Sequence, residues 1–220
     1  MKFHHLMASA AIIPAIALSV PAFAQAAADS SDEGGIAEII VTARKTSESL
    51  QSTPVAVSAL SGESLADQQI VGIQQIQATT PNLTFSSAVA QPGSSTVFIR
   101  GQGSADGLIA IDQAVGVYVD GVYAARSTGG ATDLVDVQRV EVLRGPQGTL
   151  FGRNTTGGAI NIIANKPTDK LEGSMRVDYG NYNTWLAQGV LNVPLGSGVA
   201  VRAAYQHREH SGYGRTVTLN

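Results

Sequence analysis

From Leu171 to Tyr205 apolar and polar side chains alternate with a period of two. In Leu171-Glu172-Gly173-Ser174-Met175-Arg176-Val177-Asp178-Tyr179 the odd positions are apolar, one of them glycine, and the even ones polar. The same parity returns at Trp185, Ala187, Gly189, Leu191 and Val193, opposite Thr184, Gln188 and Asn192. It returns again at Val199, Val201, Ala203 and Tyr205, opposite Arg202 and Gln206. This predicts strands with one apolar and one wet face, turning at Gly180-Asn181 and at Leu195-Gly196-Ser197-Gly198. Upstream the pattern is mixed. Val55 to Leu60 reads as a strand, Ser61-Gly62-Glu63 as the start of a short helix carrying Leu65, and Gly72 to Ala78 as a second helix burying Ile73 and Ile76, ended by Pro81. Thr96 to Arg100, Gly116 to Val119, Gln138 to Leu143 and Ala159 to Ala164 read as further strands, with Asp120-Gly121 as a turn. Strand, helices and strands in this order predict a small α/β (α+β) domain with a mixed sheet, closing near Pro167.

The N-terminus changes the compartment. Lys2, an apolar run from Leu6 to Val20 and Ala22-Phe23-Ala24 fit an export signal cleaved after Ala24. A transmembrane anchor is the alternative, but the run is short and broken by Ser9, Pro14 and Ser19. Gln25 to Gly35 is a poor core former and reads as a mobile tail. No other segment is apolar enough to cross a bilayer as a helix, so a membrane location implies strands.

Composition narrows the chemistry. With 44% hydrophobic residues, 24 glycines and a net charge of -3, the chain can pack a core but presents no broad basic face for nucleic acid. It has no cysteine, which excludes disulfides and thiolate metal sites. His4 and His5 lie in the leader, and His207 and His210 are spaced to opposite faces of a strand. Asp133, Asp136 and Glu141 are scattered, better suited to turns, caps or ion pairs than to acid/base work. No Gly-x-Ser-x-Gly elbow and no Gly-Lys-Ser/Thr P-loop occurs, so neither an enzyme nor a cofactor or metal is expected.

The most specific stretch is Arg144-Gly145-Pro146-Gln147-Gly148-Thr149-Leu150-Phe151-Gly152, continued by Gly157-Gly158-Ala159-Ile160-Asn161-Ile162-Ile163 and Lys166-Pro167. Its glycines suit positive φ or close backbone approach, and Pro146 presets a turn. It resembles the plug signature of TonB-dependent outer-membrane receptors. Val117-Tyr118-Val119-Asp120-Gly121-Val122-Tyr123 and the two Arg-Gly strand ends, at Arg100-Gly101 and Arg144-Gly145, resemble the same plug. The resemblance implies that Arg100 and Arg144 form a lock with glutamates of a barrel wall. A solvated arginine before a turn is the alternative at each. Glu38, Ile39, Ile40, Val41, Thr42 and Ala43 are similar to the TonB box, an extended peptide that pairs with a sheet edge of TonB. Four β-branched residues suit extended backbone and strand addition. An ordinary strand is the alternative. The position of the hexamer, after an export signal and before a plug, favours the box.

The implied organisation is a signal peptide over 1–24, a periplasmic tail with the box over 25–45, a plug over 46–167, and the first three strands of a transmembrane barrel over 168–220. A soluble sandwich would alternate equally well, and position in the chain favours the barrel. Tyr179, Tyr182 and Trp185 would then sit in an aromatic girdle. The resemblance implies active uptake of a scarce ligand, most commonly an iron-siderophore complex, across the outer membrane. The implied partners are TonB with its inner-membrane energising complex, outer-membrane lipid and the ligand. A signalling receptor is disfavoured, because Gln25 to Ala37 is too short to fold as an extra domain. Family barrels have about 22 strands, so the alternative expectation is a truncated, non-transporting fragment or a soluble periplasmic plug-like protein.

Overall fold

The computed structural model describes residues 39–87, 95–104, 111–124 and 133–214. The export signal, the tail and Glu38 lie outside the described residues. Two central strands organise the plug. β9 (Val137–Arg144) pairs antiparallel with β10 (Gly158–Ala164), and β10 pairs parallel with β7 (Val115–Val119). β3 (Val57–Ser61) flanks β9, and β8 (Val122–Tyr123) flanks β7, completing a five-stranded mixed sheet of order β3-β9-β10-β7-β8.

Both faces of β9 and β10 are covered at their centres, so Val140–Leu143 and Gly158–Ile162 are buried without alternation. On one face Val140, Val142, Ile160 and Ile162 pack with Leu65, Ile73, Ile76, Leu83 and Ile99. Leu65 comes from α1 (Gly62–Asp67), capped where the Ser61 hydroxyl accepts from Ser64 N–H. Ile73 and Ile76 come from Ile73–Ala78, a 3-10 rather than an α-helix. There the Gln75 side chain folds back to accept from Val71 N–H at 2.7 Å and Gly72 N–H at 2.9 Å. On the other face Leu143 and Ala159 pack with Val41, Ala43 and Tyr118.

A second, antiparallel sheet joins β4 (Leu83–Ser87), β5 (Ser95–Ile99) and β6 (Gln102–Gly103). The β5–β6 turn is Arg100-Gly101, with φ of 52° and 77°, and the β7–β8 turn is Asp120-Gly121, with φ of 48° and 82°. Positive φ at both central residues is the hairpin turn that matches strand twist. Not expected were β4, the short β6, the hairpin of β1 (Ile40–Val41) with β2 (Glu48–Ser49), and the one-turn helix α2 (Gly148–Phe151).

After the plug, β11 (Glu172–Gly180), β12 (Thr184–Gly196) and β13 (Val199–Glu209) form an open antiparallel sheet. Its exposed large apolar residues are all odd-numbered, among them Met175, Val177, Tyr179, Trp185, Leu191, Val201 and Tyr205. Asn192 and Leu186 on the even face are buried. Tyr179 stacks on Trp185 with centroids 4.8 Å apart, and Tyr182 meets Tyr213 at 5.0 Å, so the aromatic residues gather at one end. No helix among the described residues is long and apolar enough to cross a membrane, which does not bear on crossing by strands.

Candidate functional site

The segment Ile39–Ala43 lies against the second face of the plug sheet. β1 pairs with β2 through Ile40↔Ser49 and Val41↔Glu48, and Leu50 N–H donates to Ile39 C=O at 2.9 Å. Alternation along the strand sends Val41 and Ala43 into the plug, where they are 0% and 1% exposed, and turns Ile40 outward; Ile39, at the start of the segment, is also exposed. Burying a valine side chain fully is worth about 1.5–3 kcal/mol. Thr42 points at Glu141, a fully buried carboxylate in the middle of β9. Glu141 accepts from Thr42 N–H at 2.7 Å, from the Thr42 hydroxyl at 3.1 and 3.3 Å, and from Arg139 Nε at 2.7 Å. Arg139 also donates to the Thr42 hydroxyl at 3.2 Å and to Gln138. Lys45, in the turn after the segment, sits over the Phe151 ring of α2 at 5.5 Å. An open cleft of about 860 Å³ runs beside the segment, lined by Ile40, Thr42, Lys45, Arg139, Phe151 and Asn161.

The glycine-rich stretch makes the return from β9 to β10. Gly145 has φ of 103°, and its N–H donates to Gly157 C=O at 3.1 Å, while Gln147 N–H donates to Thr155 C=O at 2.9 Å. Pro146 is exposed, α2 starts at Gly148, and Gly152 caps it. Gly157 passes against Gln102 from the neighbouring hairpin. Gly158 has φ of 149°, and a Cβ there would lie 2.3 Å from Leu143 C=O in β9. Asn161 stands across from Glu141 in the β9–β10 register, with its carbonyl oxygen buried and unpartnered. The Phe151 carbonyl accepts from the Tyr118 hydroxyl at 2.5 Å, which ties α2 to β7. Burial, with Tyr123 nearby, pushes the Tyr118 phenol above its ordinary pKa.

The two candidate lock arginines come near each other. Arg100 occupies the first turn position of the β5–β6 hairpin rather than the strand end, and is exposed, with its guanidinium beside Gly145. Arg144 ends β9, half-buried, with its Nε enclosed and without a hydrogen-bond partner. Neither forms an ion pair with the described residues.

Plug and wall are joined instead by a different set of side chains. Arg202 of β13 grips Asp136, just before β9, with Nε at 2.6 Å and Nη2 at 2.7 Å, and reaches Glu172 at 3.3 Å. Asn165 donates to the same Asp136 carboxylate at 2.9 Å. Arg208 meets Asp133 at 3.0 Å. Asn192, fully buried, accepts from Thr168 N–H at 3.0 Å and donates to the Thr168 and Lys170 carbonyls at 2.8 and 2.6 Å, fastening the connection to β12. The sequence signal for Arg202 and Asn192 was their place on the polar face of the alternation. Nothing local marked Asp136 as the partner of Arg202. Among the described residues no cluster of side chains could hold a metal. His207 faces Glu209 at 3.8 Å, and His210, beyond the end of β13, stacks on Tyr213.

The mixed-sheet domain thus carries a docked strand on one side and grips the polar face of an open antiparallel sheet whose other face is apolar. The sequence matches the TonB-dependent Receptor Plug Domain over residues 49–159, half of its length, and the chain belongs to that family, whose members are receptors rather than enzymes. It is 30% identical over 182 residues to the pesticin receptor of Yersinia pestis, covering 83% of this chain and 26% of that protein. It is 36% identical over 135 residues to the ferric enterobactin receptor PirA of Pseudomonas aeruginosa, covering 55% of this chain and 18% of that one. Among solved structures, the ferric yersiniabactin uptake receptor FyuA from Yersinia pestis superposes with a TM-score of 0.64 at 30% identity, over 69% of this chain and 24% of that chain. The pyoverdine outer membrane receptor FpvA from Pseudomonas aeruginosa shares the fold with a TM-score of 0.67 at 22% identity, over 83% of this chain and 26% of that chain. The chain spans about a fifth to a quarter of the length of these relatives.

Proposed function

We propose that this chain supplies the plug and first wall strands of an outer-membrane receptor that imports an iron-siderophore-type ligand by coupling to TonB. The observation that carries the proposal is the Ile39–Ala43 strand. It is short, β-branched and docked on the plug by two small apolar side chains and one carboxylate, so it can detach without unfolding the sheet behind it. In this reading ligand arrives from outside, the plug rearranges, and the strand pairs with TonB by main-chain hydrogen bonds. Energy relayed by the inner-membrane complex then displaces part of the plug. Binding alone shifts equilibria only by differential affinity and cannot accumulate ligand. Arg100 and Arg144 remain the lock candidates. The enclosed, unpartnered Nε of Arg144 suits a carboxylate arriving from a wall. The siderophore class is supported by relatives named for ferric enterobactin and ferric yersiniabactin.

The test is uptake of radiolabelled ferric siderophores by iron-limited cells, beside ligand binding to their outer membranes. Ile40→Pro is the cleaner of the two proline probes, because Ile40 is exposed whereas Val41 is a buried anchor. The expected result is binding retained and uptake abolished. Full-rate uptake by Ile40→Pro would overturn the assignment of the strand to TonB.

A further inference from the structure

We propose that Glu141 is a latch, a positioning residue whose buried carboxylate holds the Ile39–Ala43 strand docked and sets how readily it leaves. The inference deepens the reading above and rests on it only for the identity of the partner that takes the strand.

A carboxylate with no exposed surface must have its charge and lone pairs met. Glu141 is met from two sides, by Thr42 on the strand and by Arg139 on its own β9. Arg139 lies two residues away on the same face of the same strand, and its side chain is 14% exposed. The countercharge therefore stays with the plug when the strand departs. Water can enter from the adjoining cleft, which Thr42 and Arg139 both line, and replace the Thr42 groups. No unpaired buried charge is left behind. Had the countercharge been on the moving strand, departure would orphan a buried ion. The basic residues on that side are engaged elsewhere, Arg44 with Glu48 of β2 at 3.3 Å and Lys45 over the Phe151 ring.

The same contacts close the strand to a partner. One edge of β1 is used by β2. Neighbouring residues of an antiparallel strand turn their amides to opposite edges, and on the far edge the Thr42 N–H is consumed by Glu141. The Thr42 carbonyl accepts from Lys45 N–H at 2.8 Å. A sheet edge seeking main-chain hydrogen bonds at Thr42 finds the N–H taken until Glu141 lets go and the carbonyl held in the Lys45 turn.

The chain has no cysteine, so an introduced thiol is the one thiol within residues 1–220, and labelling is read against the unsubstituted protein. Val41→Cys would be placed in the protein as it is recovered in outer membranes, and its reaction with a membrane-impermeant maleimide followed from the periplasmic side. A control thiol would replace Val140, which is equally buried but on the opposite face of β9. With the strand latched, the thiol at 41 is protected. Glu141→Gln raises its labelling rate about tenfold, as expected for losing a charge-assisted hydrogen bond, and leaves the thiol at 140 unchanged. Thr42→Val keeps the Glu141–Arg139 pair intact and raises the rate about threefold, which keeps the test open should Glu141→Gln assemble poorly. Unchanged labelling at 41 in both variants, or a parallel rise at 140, overturns the latch. Capture of a purified TonB C-terminal domain separates the two readings. Faster labelling with stronger capture supports both, and faster labelling without capture supports the latch while removing TonB as the partner.

Discussion

At Asp136 burial alone would push the carboxyl above its ordinary pKa. The hydrogen bonds from Arg202 and Asn165, with the Arg202 charge, outweigh burial and hold it below the usual carboxylate range. A carboxyl depressed in the folded state contributes stability above its unfolded pKa and loses it as pH falls through the folded value. The plug–wall grip at Arg202 is therefore expected to be constant from neutral pH down to about 4, the unfolded carboxylate value, and to fail only in stronger acid. Asp136→Asn should flatten that acid limb in denaturant melts followed across pH. An equal acid limb in the variant would place the sensitivity elsewhere. Arg202→Ala removes one partner of an almost buried pair and should cost about 3 kcal/mol at neutral pH, read in the same melts. Tyr118→Phe is a milder change. It deprives the Phe151 carbonyl of its donor, for a loss of about 1 kcal/mol.

Within the glycine-rich return from β9 to β10 the glycines are not equivalent, and the geometry ranks them. Gly158 opens a central strand at φ of 149°, and an added Cβ would strike a β9 carbonyl at 2.3 Å, a backbone atom fixed by the ladder. Gly158→Ala should therefore destabilise the plug by about 3 kcal/mol or more. Gly148 starts α2 with open space around it, so Gly148→Ala should be neutral or stabilise by about 0.5 kcal/mol. Thermal melts of the two variants that failed to separate would contradict this ranking. The sequence shows the dense glycines but not which backbone passes which, because Gly158 meets Leu143 only once β9 and β10 pair. The expected plug strands were legible to within two residues at their ends, since apolar runs bounded by Asp-Gly, Arg-Gly and Pro mark them, whereas β12 and β13 run about three residues past the alternation that announced them. The β1–β2 hairpin was not, because two-residue strands carry no period. Glu141 was legible only by type, as a turn, cap or ion-pair residue. Its burial comes from a hairpin about a hundred residues upstream in the chain, which no local pattern records.

Across the whole chain two surfaces of opposite chemistry meet back to back, and the two-residue period of β11–β13 divides them. The odd face exposes Met175, Val177, Leu191, Val201 and Tyr205, and water gives no reason for so many large apolar side chains side by side. The even face gives Arg202, Arg208 and Asn192 to the plug and its connection, and Gln188 to a cavity that Asp136 also lines. A one-residue slip in register would exchange the faces, turning arginines outward and apolar residues onto Asp136. The Arg202–Asp136 and Arg208–Asp133 contacts thus favour the one register that keeps the polar face on the plug. If the odd face meets lipid, Val201→Arg should lower the amount of folded protein in the outer membrane, since a basic residue near the bilayer midplane of a barrel costs about 2–4 kcal/mol. Gln188→Lys, on the plug-facing side near Asp136, should be tolerated. Quantifying heat-modifiable, folded protein in outer-membrane fractions distinguishes the two faces. Equal tolerance of both substitutions would mean that the odd face is wet, and the strands would then belong to a soluble sheet rather than a barrel wall.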